Sequence, residues 1–343
     1  MQNKVTKVGN LLDEKGHLIE CGYATKLIKK YDRNHIKAGK LRIKEWDYYL
    51  IYNDKYGIAI TLDDNSYMGL NSFTLLDFSV PCENTKSMMT FMPNGKTNFP
   101  STSKTGDVAC VKKDYSFEFL NNGKRRVLKC SIKNFTKDKD LNCEIILTDE
   151  PKDSMVIITP FAEKKTHFYY NQKIVGMRAS GFVKLGDETI IIDDSYRGIL
   201  DWGRGVWTYK NTWYWGAGCG TIDGHEVGFN IGYGFGDTSK ASENMLFYDG
   251  VAHKLEDVKF DIPKLKNGKD DFMSPWTFTS SDKRFECKFK PIINRHSNAN
   301  VLVISSNQNQ VFGLMSGNIV LDDGSKIKLK NFLCFAEKVV NKW

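Results

Sequence analysis

A long β-hairpin is encoded by NTWYWGAGCGTIDGHEVGFNIGYGFG at residues 211–236. Asp223 and Gly224 separate two runs rich in aromatic and β-branched residues, and this pair tolerates the positive φ angles of a tight two-residue turn. Alternate residues of a strand face opposite sides of its sheet. The glycines of both strands therefore predict a face with free space beside the backbone, to be filled by a ligand or by a packed aromatic side chain.

Strands and turns alternate in both directions from this hairpin. Toward the N-terminus, YSFEFL and RVLKCSI flank the turn NNG at 121–123, and HFYYN and MRASGFVKL flank a predicted turn, NQK, at 171–173. Toward the C-terminus, MLFYDGVAHKL turns at Asp249–Gly250. Helical periodicity is weak, and a short helix is considered only within 24–40. The pattern predicts an all-β fold, an antiparallel two-part β-barrel or sandwich.

Two domains are expected because 343 residues exceed the usual length of one domain. The segment TDEPKDS interrupts the strands and places the boundary near 150–165. We therefore predict an N-terminal β domain, 1–160, and a C-terminal β domain, 161–343. The second would carry the segments DWGRGVW (201–207) and WYWGAG (213–218).

Composition narrows the classes of partner. The net charge of +8 comes from lysines scattered along the chain, so no nucleic-acid partner is expected. The eight cysteines form no C-x-x-C pair and no cluster with histidine, and we predict neither a metal nor another cofactor. The start, MQNKVTKVGN, lacks the apolar stretch of a signal peptide, which predicts reduced cysteines and a cytoplasmic location. No run of about 18 apolar residues predicts a transmembrane segment. The oligomeric state is left open.

The central segment DDSYRGILDWGRGVWTYKNTWYW (193–215) mixes charged residues with four tryptophans. Such a mixture suits a partly desolvated polar site, and it also suits a structural Asp–Arg pair that ties down a loop. Polar or aromatic residues beside later strand ends, including Gln310 in NQVFGLMSG, are where site groups often project. We predict Asp201 and Glu243 as catalytic residues, and as substrate-binding residues Arg204, Trp207, Trp213, Trp215, Asn230, Asn244 and Trp276.

The chain resembles the family known as domain of unknown function 2804. The resemblance covers nearly the full length and rests on LRIKEWDYYLI (41–51), DWGRGVW, WYWGAG, VGFNIGYG (227–234), SENMLFYDG (242–250), SPWTF (274–278), NQVFGLMSG (309–317) and the closing FAEKVVNKW. More loosely, it is similar to the two-part, lipocalin-like (calycin-like) carotenoid hydratases of the hydroxyneurosporene synthase type. That resemblance implies that Asp201 and Trp202 occupy the place of an acidic, tryptophan-rich segment in those enzymes.

Three functions remain open from the sequence. The first is acid–base chemistry of the hydratase, cyclase or isomerase type on a largely apolar or amphipathic small molecule, with Asp201 or Glu243 as the acid. The second is a non-catalytic barrel that binds a lipid or another hydrophobic ligand. The third is binding or hydrolysis of a carbohydrate, since sugars stack on aromatic faces. A cavity with one buried acid beside tryptophans favours acid–base chemistry. An all-apolar lining favours simple ligand binding, and two carboxyl groups that face each other favour carbohydrate hydrolysis.

Overall fold

The fold is all-β, antiparallel and lipocalin-like, in two parts, as the sequence predicts. The computed structural model describes residues 2–301 and 304–342. Within these ranges the only helical elements are two 3₁₀ helices of three residues, Arg33–His35 and Lys40–Arg42, so the helix considered within 24–40 is reduced to a single short turn.

Fifteen strands lie before Lys210, the residue at which the second sheet begins. In chain order they are β1 (Gly9–Asn10), β2 (Gly22–Ala24), β3 (Lys29–Lys30), β4 (Ile43–Tyr52), β5 (Tyr56–Asp64), β6 (Met68–Asp77), β7 (Cys82–Phe91), β8 (Val108–Val111), β9 (Tyr115–Asn121), β10 (Arg126–Thr136), β11 (Lys139–Thr148), β12 (Met155–Pro160), β13 (Phe168–Leu185), β14 (Glu188–Ile192) and β15 (Arg197–Val206). Apart from the small parallel pair β1–β3, they form one antiparallel sheet with the main order β7-β6-β5-β4-β15-β13-β11-β10-β9-β8.

Nine further strands form a second antiparallel sheet with the order β19-β18-β17-β16-β24-β23-β22-β21-β20. They are β16 (Lys210–Ile222), β17 (His225–Tyr233), β18 (Met245–Tyr248), β19 (Val251–Lys254), β20 (Val258–Asp261), β21 (Trp276–Ser280), β22 (Phe285–Val301), β23 (Ile304–Val320) and β24 (Lys326–Lys342). The predicted hairpin is confirmed: Asp223 and Gly224, at φ +50° and +85°, join β16 to β17.

The chain changes sheet at a different place from the predicted domain boundary. β13, β14 and β15 all belong to the first sheet, and the second begins at Lys210. The predicted boundary at 150–165 therefore falls within the first sheet. The DWGRGVW segment lies in β15 and just after it, because its backbone pairs with β4 on one side and β13 on the other.

The predicted turn at Asn171–Lys173 is absent, and these residues lie inside the 18-residue strand β13. The polar residues at this position suggested a turn, but all three side chains are buried, and Lys173 lines the space between the two sheets. The strand continues because β12 and β15 hydrogen-bond to it on its two sides.

Each sheet curls around an apolar core of its own. The first core includes Tyr49, Phe117 and Trp202, and the second includes Phe229, Phe278 and Trp276. A third apolar cluster lies between the outer faces of the two sheets. Tyr52 ties the sheets together there, because its hydroxyl donates to the Cys219 carbonyl at 3.0 Å and accepts from the Cys219 amide at 2.7 Å.

Glycines on the two strands of the central hairpin face opposite sides, not one shared face. The register pairs Gly218 with Phe229 and Gly232 with Trp215. Gly218 faces the second core, where a Cβ would lie 2.6 Å from Cys334 Cβ and 3.0 Å from the Phe229 ring. The space beside this glycine is therefore filled by packed side chains. Gly232 faces the space between the sheets.

Candidate active site between the two sheets

A cavity of about 310 Å³ lies between the outer faces of the two sheets, not inside either barrel. Strands β4–β7, β13 and β15 form one wall, and β16 and β22–β24 form the other. Its lining residues are Trp46, Tyr48, Thr61, Asp63, Asn65, Leu70, Ser72, Glu83, Thr85, Ser87, Tyr169, Lys173, Asp201, Trp207, Trp213, Trp215, Phe235, Glu243, Arg295, His296, Ser297, Gln308, Gln310 and Glu337.

One register-matched row crosses the wall formed by the first sheet. Residues directly opposite each other in an antiparallel pair project to the same side. From β7 to β13 the row reads Ser87, Ser72, Thr61, Tyr48, Asp201 and Lys173. All six line the cavity, so the wall changes from hydroxyl groups at the edge strand to a charged pair at its centre.

Lys173 and Asp201 form a buried ion pair. Lys173 Nζ lies 2.8 Å from Asp201 Oδ2, and the side chains are 3% and 10% exposed. Asn171 Nδ2 donates to the other oxygen, Asp201 Oδ1, at 2.5 Å. Lys173 Nζ also lies 3.8 Å from the ring centroid of Trp215, which belongs to the opposite sheet. The ammonium group therefore connects the two walls through an ion pair and a cation–π contact.

A second register-matched row crosses the opposite wall and reads Gly232, Trp215, Glu337, Gln310 and Arg295. Glu337 lies at its centre. Trp213 Nε1 donates to Glu337 Oε1 at 2.8 Å, and Gln310 Nε2 donates to Oε2 at 3.2 Å. The row thus holds one carboxyl group in a fixed orientation beside the indole rings.

Burial raises the pKa of the Glu337 carboxyl to about 7, although the Trp213 hydrogen bond and the charge of Lys173 lower it. The carboxylate of Asp201 adds to the upward shift. A buried carboxyl group is harder to ionise because the charged form loses its hydration. Glu337 can therefore hold a proton near neutral pH and release it within the cavity.

Glu243 is a second buried carboxyl group, and burial raises its pKa as well. Its backbone carbonyl accepts a 2.8 Å hydrogen bond from Asn230 Nδ2, and Trp215 Nε1 donates to Asn230 Oδ1 at 2.7 Å. A Cβ on Gly232 would lie 2.7 Å from Glu243 Oε1. The glycine in β17 therefore provides the space in which the Glu243 carboxyl group lies.

Gly203, in the DWGRG segment, gives Trp46 its position. A Cβ on Gly203 would overlap the six-membered ring of the Trp46 indole. The indole lies against the β15 backbone, stacks on Tyr169 at 6.1 Å and meets Trp207 edge-on at 5.1 Å. The absence of a side chain at 203 thus sets the aromatic end of the cavity.

We expect Gly203→Ala to lower the free energy of unfolding by about 1–3 kcal/mol, because Trp46 must leave its packed position. Urea unfolding monitored by tryptophan fluorescence measures the change. Gly9→Ala is the matched control, since a Cβ there meets nothing within 4 Å. Equal stability of the two variants would contradict this account of Trp46.

Five of the residues predicted from the sequence line the cavity: Asp201, Glu243, Trp207, Trp213 and Trp215. Arg204 does not. It lies on the opposite face of β15, fully buried, with its guanidinium 4.3 Å from the Trp202 ring centroid. Arg204 Nη1 donates to the carbonyls of Trp46 and Gly203 and to Asp47, so strand alternation makes it a structural tie that does not contact Asp201.

The other three predicted residues lie behind the cavity or away from it. Asn230 supports Trp215 and Glu243 from behind. Asn244 Oδ1 accepts from the Gly232 amide at 2.7 Å, and Asn244 Nδ2 donates to the Glu256 carbonyl. Both ends of this side-chain amide therefore bond to the backbone. Trp276 is outside the cavity, because the start of β21 turns its indole into the second barrel core.

Sequence reasoning missed Lys173 and Glu337, the two residues that complete the charged centre. Lys173 was assigned to a turn. Glu337 stands in FAEKVV, two residues after Phe335, whose ring packs in the apolar cluster between the two sheets. A charged residue on the same face of the strand as buried apolar residues was the available signal.

Within residues 2–301 and 304–342, no group of three or more His, Cys, Asp or Glu side chains is arranged to hold a metal ion. Over the same residues, no helix has the length and apolar character needed to cross a bilayer.

The fold defines a class, the two-part, lipocalin-like β proteins. The chain belongs to the family described as Domain of unknown function (DUF2804), whose model matches residues 2–343. No curated protein matches the chain in sequence.

Solved structures that are similar to the chain share little sequence with it. A candidate AttH from Nitrosomonas europaea has a TM-score of 0.55 at 12% identity, over 90% of this chain and 96% of that one. Kievitone hydratase from Nectria haematococca has a TM-score of 0.45 at 10% identity, over 88% of each chain. CghA with Sch210972 has a TM-score of 0.47 at 7% identity, over 97% and 96%. At these identities the likeness concerns the fold.

Proposed function

We propose that this protein binds a largely apolar, unsaturated small molecule between its two sheets and catalyses acid–base chemistry on it, of the hydratase, cyclase or isomerase type. The observation that carries the proposal is Glu337: a buried carboxyl group with a pKa raised to about 7, held by Trp213 on the wall of an aromatic cavity. An acid whose pKa lies near the working pH is the most effective proton donor.

The chemistry begins with transfer of the Glu337 proton to one carbon of a double bond, which leaves a positive charge on the neighbouring carbon. Indole rings stabilise such a cation through their negative faces. Loss of a different proton completes an isomerisation. Addition of water with loss of its proton completes a hydration, and attack by a second double bond followed by proton loss completes a cyclisation. In each case one proton enters the substrate and one leaves to the Glu337 carboxylate, which restores the carboxyl group.

Asp201 fits a different role from the proton donor suggested by the sequence. Both of its oxygens are engaged, one by Lys173 and one by Asn171. It is therefore placed to stabilise positive charge, while Glu337 donates the proton from the opposite wall. Because neither oxygen of Asp201 is free, Asp201 and Glu337 do not form the acid and base pair of a hydrolase. Glu243, also buried, is the second donor candidate.

The lining favours this reading over simple lipid binding. A pocket that only holds a hydrocarbon gains nothing from buried carboxyl groups, each of which costs desolvation energy. Here Asp63, Glu83, Asp201, Glu243 and Glu337 all reach the cavity.

Ligand capture followed by turnover in D₂O tests the proposal. The protein is incubated with cell extract, the retained molecule is identified by mass spectrometry, and it is then incubated with fresh protein in D₂O. We expect one deuterium at a carbon position that does not exchange without the protein. A captured molecule that returns without carbon-bound deuterium and without rearrangement would leave binding alone as the function.

A further inference from the structure

We infer that the ligand of this cavity is amphipathic and carries an uncharged, hydroxyl-bearing end, which binds along Thr61, Ser72 and Ser87. This inference rests on the proposed use of the cavity for a small molecule, and it names the class of that molecule. Together Thr61, Ser72 and Ser87 form a hydroxyl ladder.

The hydroxyl ladder is built by strand register. Thr61 in β5 lies opposite Ser72 in β6, which lies opposite Ser87 in β7. Neighbouring strands are about 4.8 Å apart, so the three hydroxyl groups form a row with that spacing. All three residues line the cavity. Hydroxyl groups spaced in this way match a ligand with several oxygens on one ring or short chain.

The ladder has no protein partners for its hydroxyl groups. Ser72 is only 4% exposed, and among the described residues no side-chain hydrogen bond involves Thr61, Ser72 or Ser87. By contrast, Thr85 on the same strand as Ser87 bonds to Thr74 at 2.9 Å and to Glu83 at 2.9 Å. A buried hydroxyl group such as that of Ser72 is normally hydrogen-bonded. Thr61 is partly buried and Ser87 is exposed, so the three hydroxyl groups are open to a bound molecule.

The charges around the ladder favour an uncharged polar end. Glu83, four residues from Ser87 on the same face of β7, would repel an anion. Arg295 faces it from the other sheet, with its Nε 3.9 Å from Glu83 Oε2, and would repel a cation. Hydroxyl groups, which donate and accept, can satisfy the ladder without adding a charge.

The remainder of the cavity can hold an unsaturated apolar end. The same row continues through Tyr48 to the Lys173–Asp201 pair, and the indole rings beside this pair provide the aromatic part of the walls. A cavity of roughly 150 Å³ accommodates one benzene ring, so about 310 Å³ has room for two ring-sized units. One unit would lie on the ladder and the other among the tryptophans beside Glu337.

Two probes of matched size, phenyl β-D-glucopyranoside and phenyl β-D-glucuronide, test the inference together with phenol, which lacks the sugar ring. Binding is measured by calorimetry and by quenching of tryptophan fluorescence. We expect the glucoside to bind at least about tenfold more tightly than phenol and than the anionic glucuronide. Equal binding of phenol would overturn the inference, and so would a preference for the glucuronide, which would indicate an anion site at Arg295.

Substitutions on the ladder give an independent measurement. Ser72→Ala and Ser87→Ala should each weaken glucoside binding by about two- to tenfold, with phenol binding within about twofold of the parent. Ser131→Ala, an exposed serine in β10, is the matched control. Equal weakening of both probes by the ladder variants would overturn the inference.

The experiments distinguish failure of the acid–base function from failure of the ligand class. A preference for the glucoside without deuterium transfer removes the acid–base function and leaves the ligand class intact. Deuterium transfer to a captured ligand that lacks hydroxyl groups removes the ligand class and leaves the acid–base function intact.

Discussion

Replacing Lys173 with methionine is expected to lower the free energy of unfolding by about 3–5 kcal/mol at pH 7, because it leaves the buried Asp201 carboxylate without its cation. The same change removes the charge that lowers the pKa values of Glu243 and Glu337, so both pKa values should rise further. Denaturant unfolding at pH 7 measures the stability change.

Two further variants show whether the loss comes from the ion pair. Lys139→Met removes the cation of an exposed pair with Glu188 and should cost less than about 1 kcal/mol. The double variant Lys173→Met with Asp201→Asn should recover part of the stability, because it no longer buries an unpaired charge. A loss below about 1 kcal/mol for Lys173→Met would show that Asp201 needs no partner.

Turnover of the captured ligand by Glu337→Gln is expected to fall by about 10²–10⁴-fold, with ligand binding retained, because glutamine keeps the shape of the side chain and cannot donate the proton. In the parent protein the protonated form is the active one. Since burial raises the pKa of Glu337 to about 7, the rate should fall as the pH rises through that value.

The control for this measurement is Glu188→Gln, a change of the same kind at an exposed position in β14. It should leave turnover unchanged. If Glu337→Gln retains turnover while Glu243→Gln loses it, the proton donor is Glu243. If both retain turnover, neither carboxyl group is the acid.

The sequence predicted the strands and turns well where turn chemistry is local. The pairs Asp223–Gly224 and Asp249–Gly250 adopt the positive φ angles that such residues allow, and each joins two paired strands. Lys173 could not be recognised in the same way. Its polar neighbours resemble a turn, and the strand persists only because distant segments of the chain pair with it on both sides.

The sequence predicted those site residues that lie close together along the chain, and missed those that strand pairing brings from elsewhere. Trp207, Trp213, Trp215 and Asp201 are close in sequence, and their unusual composition marked them. Glu337 and Lys173 reach the same point from other strands, through a register that a single sequence does not display. Arg204 shows the converse: it is three positions from Asp201, and the odd spacing places it on the other face of the strand.

The position of the cavity outside both barrel interiors has an evolutionary consequence. None of its lining residues belongs to either filled core. Selection for packing of the two barrel interiors and selection for ligand choice therefore act on separate sets of positions. Successive substitutions on the outward faces of β5, β6, β22 and β23 can change which molecule fits without disturbing the interiors that hold each barrel together, so one scaffold can acquire new substrates through changes between its two sheets.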